Sequence, residues 1–209
     1  MKKVSMAVIR RLPKYFRYLS ELLENDIRRI SSKELSRLTG FTASQIRQDL
    51  NNFGGFGQQG YGYNVEGLHV ELGKILGLNK SYKTVLIGAG NLGQAIANYK
   101  GFEDAGFNLL GIFDKNPKMI GLRIKDIEIG DVDDLEEFVK ENDIEIGIIC
   151  TPKYGSQDIA DRLAKCGVKG IWNFAPADLK VPEGVTVENV HLNESLFTLS
   201  YLLKQNAEK

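Results

Sequence analysis

The chain has 209 residues, 43% of them hydrophobic, which is enough to bury one or two cores. It contains no apolar run long enough to span a membrane, and its first residues lack the apolar stretch of a signal peptide. The two cysteines, Cys150 and Cys166, are too few for a disulfide framework and lack metal-ligand spacing. We therefore expect a cytoplasmic protein with no bound metal.

Positive and negative charges balance over the whole chain but are divided unevenly along it. Residues 1–80 contain 13 Lys and Arg against 7 Asp and Glu, whereas residues 81–209 contain 14 against 20. A basic front module therefore precedes an acidic one. Such a basic module favours a polyanionic partner such as nucleic acid.

The first predicted helix covers residues 5–24, where apolar side chains recur at helical spacing and Ser5 stands in a capping position. Pro13 interrupts the pattern and predicts either a kink or the start of a second helical segment. Cations are frequent along this stretch: Arg10, Arg11, Lys14 and Arg17.

The next segment predicts a helix-turn-helix. Ser31 or Ser32 caps a short helix, residues 39–42 form a glycine-containing turn, and residues 43–53 form the second helix. Arg and Gln side chains on that helix suit guanine and adenine edges in the major groove. Its core face is expected to carry Ile46, Leu50 and Phe53. Its outer face is then polar: Ser44, Gln45, Arg47 and Gln48.

Residues 54–65 alternate glycine with aromatic side chains and predict a small β-hairpin, which would be the wing of a winged helix. Phe56, Tyr61 and Tyr63 argue against the alternative of a flexible linker. Residues 65–78 predict a further helix that carries His69. We expect this histidine to be packed or at the surface and not to bind metal.

A glycine-rich turn follows the predicted strand 83–87 and precedes the predicted helix 94–99. Its pattern is G-x-G-x-x-G, and Asp114 ends the next predicted strand 21 residues after the last glycine. Strand, turn, helix, strand and terminal acid together predict a dinucleotide-binding unit, with the phosphates at the helix N-terminus. Asp114 would accept a hydrogen bond from a ribose 2′-hydroxyl, whereas a 2′-phosphate there would meet a like charge. The site is therefore expected to prefer NAD(H) over NADP(H). Adjacent Lys115 weakens that preference.

The alternation of strands and helices continues to residue 190 and predicts a doubly wound parallel sheet with right-handed crossovers. The strands are expected at residues 126–130, 144–150, 170–174 and 185–190, with helices at 133–142 and 156–166. Ligands of such sheets bind at the carboxyl ends of the strands. The predicted nucleotide-binding residues are accordingly Gly88, Ala89, Gly90, Asn91, Leu92, Gly93, Asp114, Lys115, Thr151, Pro152, Asn173, Phe174 and Tyr99.

The tail is predicted to be a helix capped by Asn193, and residues 196–203 are apolar on nearly every side. A surface helix needs only one apolar stripe. The tail is therefore expected either to insert between domains or into a second subunit, or to close its own sheet. The predicted domains are a winged helix at 1–79, a Rossmann-like domain at 80–191 and a dimerisation helix at 192–209.

These motifs together resemble the Rex family of redox-sensing transcriptional repressors, which regulate fermentation and respiration genes in bacteria. The likeness covers nearly the whole chain and rests on residues 10–15, 31–35, 45–50, 61–63, 88–93 and 172–176. It implies a homodimer with swapped C-terminal helices that binds double-stranded operator DNA. It also implies release of the DNA by NADH, with NAD+ as a weaker competitor.

The resemblance also implies roles for individual residues. Arg17 and Tyr99 match positions near the nicotinamide that couple the two domains. Several relatives supply an aspartate from the other subunit, and His191 stands at the matching place here. Gln48 and Gln59 stand where some relatives carry Lys or Arg. The expected DNA contacts are Arg10, Arg11, Lys14, Ser31, Ser32, Ser44, Gln45, Arg47, Gln48, Gln59, Gly60 and Tyr61.

The function expected on these grounds is allosteric repression that reports the NADH/NAD+ ratio, on an inverted-repeat operator. The alternative is an NAD-dependent oxidoreductase with an accessory N-terminal domain. Hydride transfer needs a proton donor or acceptor at the nicotinamide, and the sequence offers only two histidines and no separate substrate domain. A coenzyme A-binding module is a third alternative, which Asp114 disfavours. We therefore expect a regulator and no enzyme.

Overall fold

A computed structural model describes residues 4–58 and 61–208. The chain divides into two compact units, Met1–Lys80 and Ser81–Lys209, and each is described by itself below. Among the described residues, no helix has the length and apolar character needed to cross a membrane.

The first unit is mainly helical, with a small three-stranded sheet. Its elements are α1 (Met6–Ile9), α2 (Leu12–Glu24), β1 (Arg29–Ile30), α3 (Ser32–Thr39), α4 (Ala43–Asn51), β2 (Gly57–Gln58), β3 (Gly62–Asn64) and α5 (Val65–Ile75). The predicted first helix is thus two helices, and Pro13 lies in the first turn of α2, where its missing N–H is tolerated. Ser5 occupies the capping position of α1, but its side chain makes no capping hydrogen bond.

The helix-turn-helix is confirmed, and local sequence explains its boundaries. Ser31 caps α3 in a capping box with Glu34, and Gly40 ends the helix with a φ of 74°. The Thr42 side chain then caps α4. Buried Leu35, Ile46 and Leu50 join the helices to the core of the unit. Helix α4 ends two residues before the predicted boundary, although Phe53 still packs against that core.

The predicted wing is present, with a third strand that sequence reasoning missed. Strand β3 pairs antiparallel with both β2 and β1, and Arg29–Ile30 is too short to show any periodicity. Gly62 permits the close approach of β3 to β1, because a Cβ at this position would lie 2.5 Å from the Ile30 carbonyl oxygen. The helix after the wing carries His69, which stacks on Phe16 at 4.2 Å between ring centroids.

The second unit is a seven-stranded sheet with helices on both faces. Its elements are β4 (Tyr82–Ile87), α6 (Asn91–Asn98), α7 (Gly101–Asp104), β5 (Phe107–Asp114), β6 (Arg123–Ile124), β7 (Ile127–Asp131), α8 (Leu135–Glu141), β8 (Ile146–Ile149), α9 (Lys153–Lys165), β9 (Gly170–Asn173), β10 (Thr186–Asn189) and α10 (Leu192–Ala207). The strand order is β10-β9-β8-β4-β5-β7-β6, and every pair is parallel except β6 with β7.

Alternate residues of β4 enter separate cores on the two faces of the sheet. Val85 and Ile87 belong to the cluster that includes Leu163 of α9, whereas Leu86 belongs to the cluster that includes Ile96 of α6. The predicted doubly wound α/β fold is therefore confirmed. The short antiparallel strand β6 was not predicted.

The C-terminal helix begins earlier than predicted. His191 occupies its capping position without a side-chain hydrogen bond, and Asn193 lies within the first turn, so the predicted cap at Asn193 is wrong. No residue of α10 is buried in the single chain. Several large apolar side chains are half or more exposed: Leu192, Leu196, Phe197, Leu199, Tyr201 and Leu203.

Candidate functional sites

Four parallel strands of the second unit end in register at one edge of the sheet. Ile87 pairs with both Phe113 and Ile149, and Ile149 pairs with Asn173. The segments that follow these strands are the glycine turn, Asp114, the segment 150–152 and the segment after β9. The structure thus brings the predicted nucleotide-binding segments together at this edge of the sheet, which we call the mouth.

The three glycines of the turn meet different surroundings. Gly88 has a φ of 101°, and a Cβ there would lie 2.7 Å from the Cys150 carbonyl oxygen. A Cβ on Gly93 would collide with the Gly88 carbonyl oxygen, so this glycine allows helix and strand to pack closely. A Cβ on Gly90 would meet nothing within 4 Å, so open space lies beside the backbone at the N-terminus of α6. That space suits a pyrophosphate.

Asp114 is held against the glycine turn by two backbone groups. The Ala89 N–H donates to its Oδ2 at 2.7 Å, and the Asn116 N–H donates to its Oδ1 at 2.8 Å. A carboxylate has about four acceptor sites, so Asp114 can still accept a ribose hydroxyl. Its two bonds fix the carboxylate beside the turn, as the dinucleotide-binding interpretation requires. Lys115, the next residue, is exposed.

One buried oxygen at this mouth has no partner. Among the described residues, the Thr151 Oγ1 is the buried side-chain polar atom that lacks a hydrogen bond. An unsatisfied buried hydroxyl is costly, and a ligand group is one way to satisfy it. The neighbouring Cys150 is different, because burial raises the pKa of its thiol to about 12 and makes it a poor nucleophile. Pro152 is exposed beside them.

The end of β9 is organised by Asn173, which is fully buried. Its Nδ2 donates to the Ala177 carbonyl at 2.7 Å and to the Asn189 Oδ1 at 2.8 Å, and its Oδ1 accepts from the Ala175 N–H at 3.0 Å. These bonds engage both ends of the amide within the fold. The Asn173 side chain thus holds the loop after β9 in place, and its predicted contact with the coenzyme stays a prediction.

Four aromatic side chains form a row of contacts from the end of β9 to the end of α6, which we call the aromatic row. Phe174 contacts Trp172 at 4.5 Å between centroids, Trp172 contacts Phe102 at 5.1 Å, and Phe102 contacts Tyr99 at 4.7 Å. Phe174 also packs against the core beneath the sheet edge, as does half-buried Leu92. Tyr99 itself is 60% exposed, and Asn91 is exposed at the start of α6.

In the first unit, α4 presents a polar face to solvent. Ser44, Arg47 and Gln48 are exposed and Gln45 is half-buried. The Arg47 Nη1 donates to the Ser32 Oγ at 2.9 Å, which ties the two helices of the motif together at their surface. The Ser31 hydroxyl is engaged in the capping box. A polar helix face with Arg and Gln suits base edges.

The wing residue Tyr61 is 70% exposed, with Arg29 over its ring at 5.8 Å. The predicted DNA contacts Gln59 and Gly60 lie outside the described residues. Arg10, which directly follows α1, is exposed, and Lys14 on α2 lies over the ring of Phe41 at 5.1 Å.

Arg11 is placed differently from the other predicted DNA contacts. Its guanidinium donates from Nε and Nη2 to Asp49 at 2.6 and 2.7 Å, and its side chain is 19% exposed. Sequence reasoning missed Asp49 as a partner, although the spacing Ile46, Asp49, Leu50 places this carboxylate on the core face of α4. Burial opposes the charge of Asp49, but hydrogen bonds from Arg11 and Tyr15 hold its pKa below the ordinary value.

The residues expected to couple the units differ in exposure. Arg17 is 62% exposed, with Glu21 at 3.8 Å and the Tyr18 ring at 4.8 Å. His191 is half-buried, and its Nε2 lies 3.2 Å from the Asp178 Oδ1. Within the part of the chain that the structure describes, no group of three or more potential metal-ligating side chains is found.

Two family models match separate parts of the chain. Residues 3–51 match a family described as "Putative DNA-binding protein N-terminus", and residues 79–177 match the family "CoA binding domain". The chain is 68% identical to the redox-sensing transcriptional repressor Rex of Clostridioides difficile, over 98% of this chain and 97% of that protein. It is 66% identical to the protein of the same name from Thermoanaerobacter pseudethanolicus, over 97% and 91% of the two chains.

Solved structures give a match over almost the full length. A crystal structure of RSP in complex with β-NAD+ and operator DNA has a TM-score of 0.92 and 65% identity, covering 99% of this chain and 95% of that one. A crystal structure of RSP with β-NADH has a TM-score of 0.92 and 62% identity, covering 99% and 97%.

The fold defines a protein that joins a winged helix-turn-helix to a Rossmann-type nucleotide-binding domain. The identity to curated relatives over nearly the whole length makes the family plain: the chain belongs to the Rex family of redox-sensing transcriptional repressors. The predicted family is confirmed. These relatives are named as repressors and not as oxidoreductases, which counts against the enzyme alternative.

Proposed function

We propose that this protein represses transcription by binding operator DNA and that NADH releases it, so that gene expression follows the NADH/NAD+ ratio. The observation that carries the proposal is the pairing of a helix-turn-helix with an aligned dinucleotide-binding edge in one chain. RSP, a similar protein, has been crystallised with β-NAD+ and operator DNA and also with β-NADH. Such a regulator acts in the bacterial cytoplasm, where its DNA is.

The DNA-binding surface would be the exposed face of α4 together with the wing. Arg47 and Gln48 would contact base edges, Ser44 and Gln45 would lie at the start of the same helix, and Tyr61 would approach the backbone. Arg10, Lys14 and Ser32 would add contacts around this centre. The excess of cations over residues 1–80 supports binding to a polyanion.

The coenzyme would lie across the sheet edge. The N-terminus of α6 and the space beside Gly90 would hold the pyrophosphate. Asp114 would accept a hydrogen bond from a ribose hydroxyl. The Thr151 hydroxyl would form a hydrogen bond with a polar group of the coenzyme further along the edge. Asp114 would repel the extra phosphate of NADP(H), since both carry negative charge. It also argues against coenzyme A at this edge.

Discrimination between the two redox forms would depend on charge. The oxidised nicotinamide ring is positive and the reduced ring is neutral, so a cation near the ring would favour NADH. Arg17 and Tyr99 are the coupling residues that family membership suggests, with His191 as a third. NADH would then shift the population toward the form that does not bind DNA.

The protein would act as a homodimer through α10. A helix with this many exposed leucines and aromatics is costly in water, and a second copy of the chain would cover them. Light scattering should give twice the monomer mass, and Leu199→Glu should lower it. Two recognition helices related by a two-fold axis would require an inverted-repeat operator.

A mobility-shift assay tests the central proposal. The full-length protein is bound to an operator duplex and titrated separately with NADH and with NAD+. NADH should release the DNA at a much lower concentration than NAD+. Equal release by the two forms would contradict redox sensing, and no release by either would contradict coupling between the units.

A further inference from the structure

A carboxylate is buried on the core-facing side of α4, the helix proposed to meet DNA. Asp49 is only 2% exposed, and three donors surround it. Arg11 supplies two of them, at 2.6 and 2.7 Å, and the Tyr15 hydroxyl supplies the third at 2.7 Å. All three donors come from one stretch of chain at the start of α2.

The same cluster includes the turn of the helix-turn-helix. The Tyr15 ring meets the Phe41 ring edge-on at 5.7 Å, and the Arg11 guanidinium lies 5.8 Å from the centre of the Phe41 ring. We call Arg11, Tyr15, Phe41 and Asp49 the α4 anchor. The anchor therefore joins α2, the turn and α4 through directional contacts.

Directional contacts fix an orientation that apolar packing alone leaves looser. Buried Ile46 and Leu50 would tolerate a small rotation or slide of α4, whereas a bidentate Arg–carboxylate pair is lost when either group turns. Arg47 and Gln48 directly precede Asp49 and are exposed. Any rotation of Asp49 would therefore carry these two side chains with it.

We propose that Asp49 is a positioning residue for recognition of specific DNA, and that Arg11 acts through Asp49 and not by contact with a phosphate. Buried ion pairs contribute little net stability but can set a unique geometry. The inference rests on the proposed DNA-binding function. It predicts that damage to the anchor reduces discrimination between DNA sequences more than overall affinity for DNA.

Mobility-shift assays in the absence of NADH test this on the full-length protein. The probes are the operator duplex found with RSP and a scrambled duplex of equal length, across a range of salt concentrations. The anchor variants are Arg11→Lys and Tyr15→Phe. The matched controls are Arg28→Lys, whose exposed side chain pairs with Asp26, and Tyr18→Phe on the same helix as Tyr15.

Arg11→Lys should raise the Kd for the operator about tenfold and Tyr15→Phe about threefold, while the Kd for scrambled DNA and the salt dependence stay within error. The controls should change neither. Equal losses on both DNAs would instead indicate a sequence-independent contact of Arg11 with the DNA backbone and would overturn the proposal. Unchanged operator binding by both anchor variants would overturn it as well.

A double-mutant cycle tests whether Arg11 acts through Asp49. In an Asp49→Asn background, Arg11→Lys should cause no further loss of operator binding, whereas independent contacts would give additive losses. Circular dichroism checks folding of each variant. If Arg11→Lys does not fold, Tyr15→Phe decides the question, because it retains the buried ring and removes only one hydrogen bond. Failure of the wild-type chain to bind the operator would refute the proposed function and this inference with it, whereas operator binding that both anchor variants retain would refute the inference alone.

Discussion

Among the described residues, the two units differ in whether every buried polar side-chain atom has a hydrogen-bond partner. In the first unit, buried Asp49 has three donors and buried Thr39 donates to the Leu35 carbonyl. In the second unit, the Thr151 hydroxyl is buried at the sheet edge without a partner. In the described part of the first unit, buried polar side chains are thus satisfied within the fold, whereas the proposed nucleotide-binding edge keeps one buried hydroxyl that a ligand would satisfy. The variants below test this contrast, starting with the largest expected effect.

Removing the carboxylate of the α4 anchor should have the largest effect. Asp49→Ala leaves the Arg11 guanidinium and the Tyr15 hydroxyl without their acceptor, and we expect the first unit to lose about 3–5 kcal/mol of unfolding free energy. Urea denaturation followed by circular dichroism measures this. The control Glu71→Ala removes an exposed ion pair with Lys74 and should cost less than about 0.5 kcal/mol. Similar losses in both variants would contradict the contrast.

Two glycines of the nucleotide turn should respond differently to the same change. Gly93→Ala places a methyl group against the Gly88 carbonyl and should destabilise the second unit by about 1–3 kcal/mol. Gly90→Ala meets open space, so stability should stay within about 0.5 kcal/mol while the Kd for NADH rises about tenfold. Urea denaturation and titration calorimetry measure the two quantities. Unaltered NADH binding by Gly90→Ala would place the phosphates elsewhere.

The unsatisfied hydroxyl should matter for the ligand and not for the fold. Thr151→Val should leave stability unchanged or raise it, and should weaken NADH binding by about 1 kcal/mol, near fivefold. Thr84→Val is the matched control, because its buried hydroxyl donates to the Asn108 carbonyl at 3.0 Å within the fold. It should cost about 1 kcal/mol of stability and leave NADH binding intact. The opposite pattern would show that Thr151 serves the fold.

Lowering the pH should gradually reduce the unfolding free energy of the first unit. The folded pKa of Asp49 lies below its ordinary value of 3.8, so the unfolded chain binds the proton first as the pH falls. The stabilisation is therefore complete above that value and is lost as the pH falls through the folded pKa, by at most about 1.4 kcal/mol per pH unit. Asp49→Asn should lack this component in denaturation curves between neutral and acid pH. Parallel curves for the two proteins would contradict it.

Sequence patterns predicted the fold well because periodicity and turns have a local basis, whereas the nucleotide-binding residues stay a prediction. Strong periodicity gave α2 and the central strands, and the glycine turn with Asp114 predicted the nucleotide-binding edge. The partners of buried polar groups were not predictable in this way. Arg11 was predicted to contact DNA and Asn173 to contact the ligand. In the structure, the Arg11 side chain is hydrogen-bonded to Asp49, 38 residues away, and the Asn173 side chain to Asn189, 16 residues away.

The aromatic row at the sheet edge has a practical consequence. Trp172 is the only tryptophan of the chain and lies in contact with Phe174, at the mouth proposed to hold the coenzyme. Its ultraviolet emission overlaps the absorption band of reduced nicotinamide and not that of the oxidised form. Quenching of this intrinsic fluorescence would therefore report occupancy by the reduced coenzyme in the unlabelled protein, while DNA bound at the first unit is followed independently.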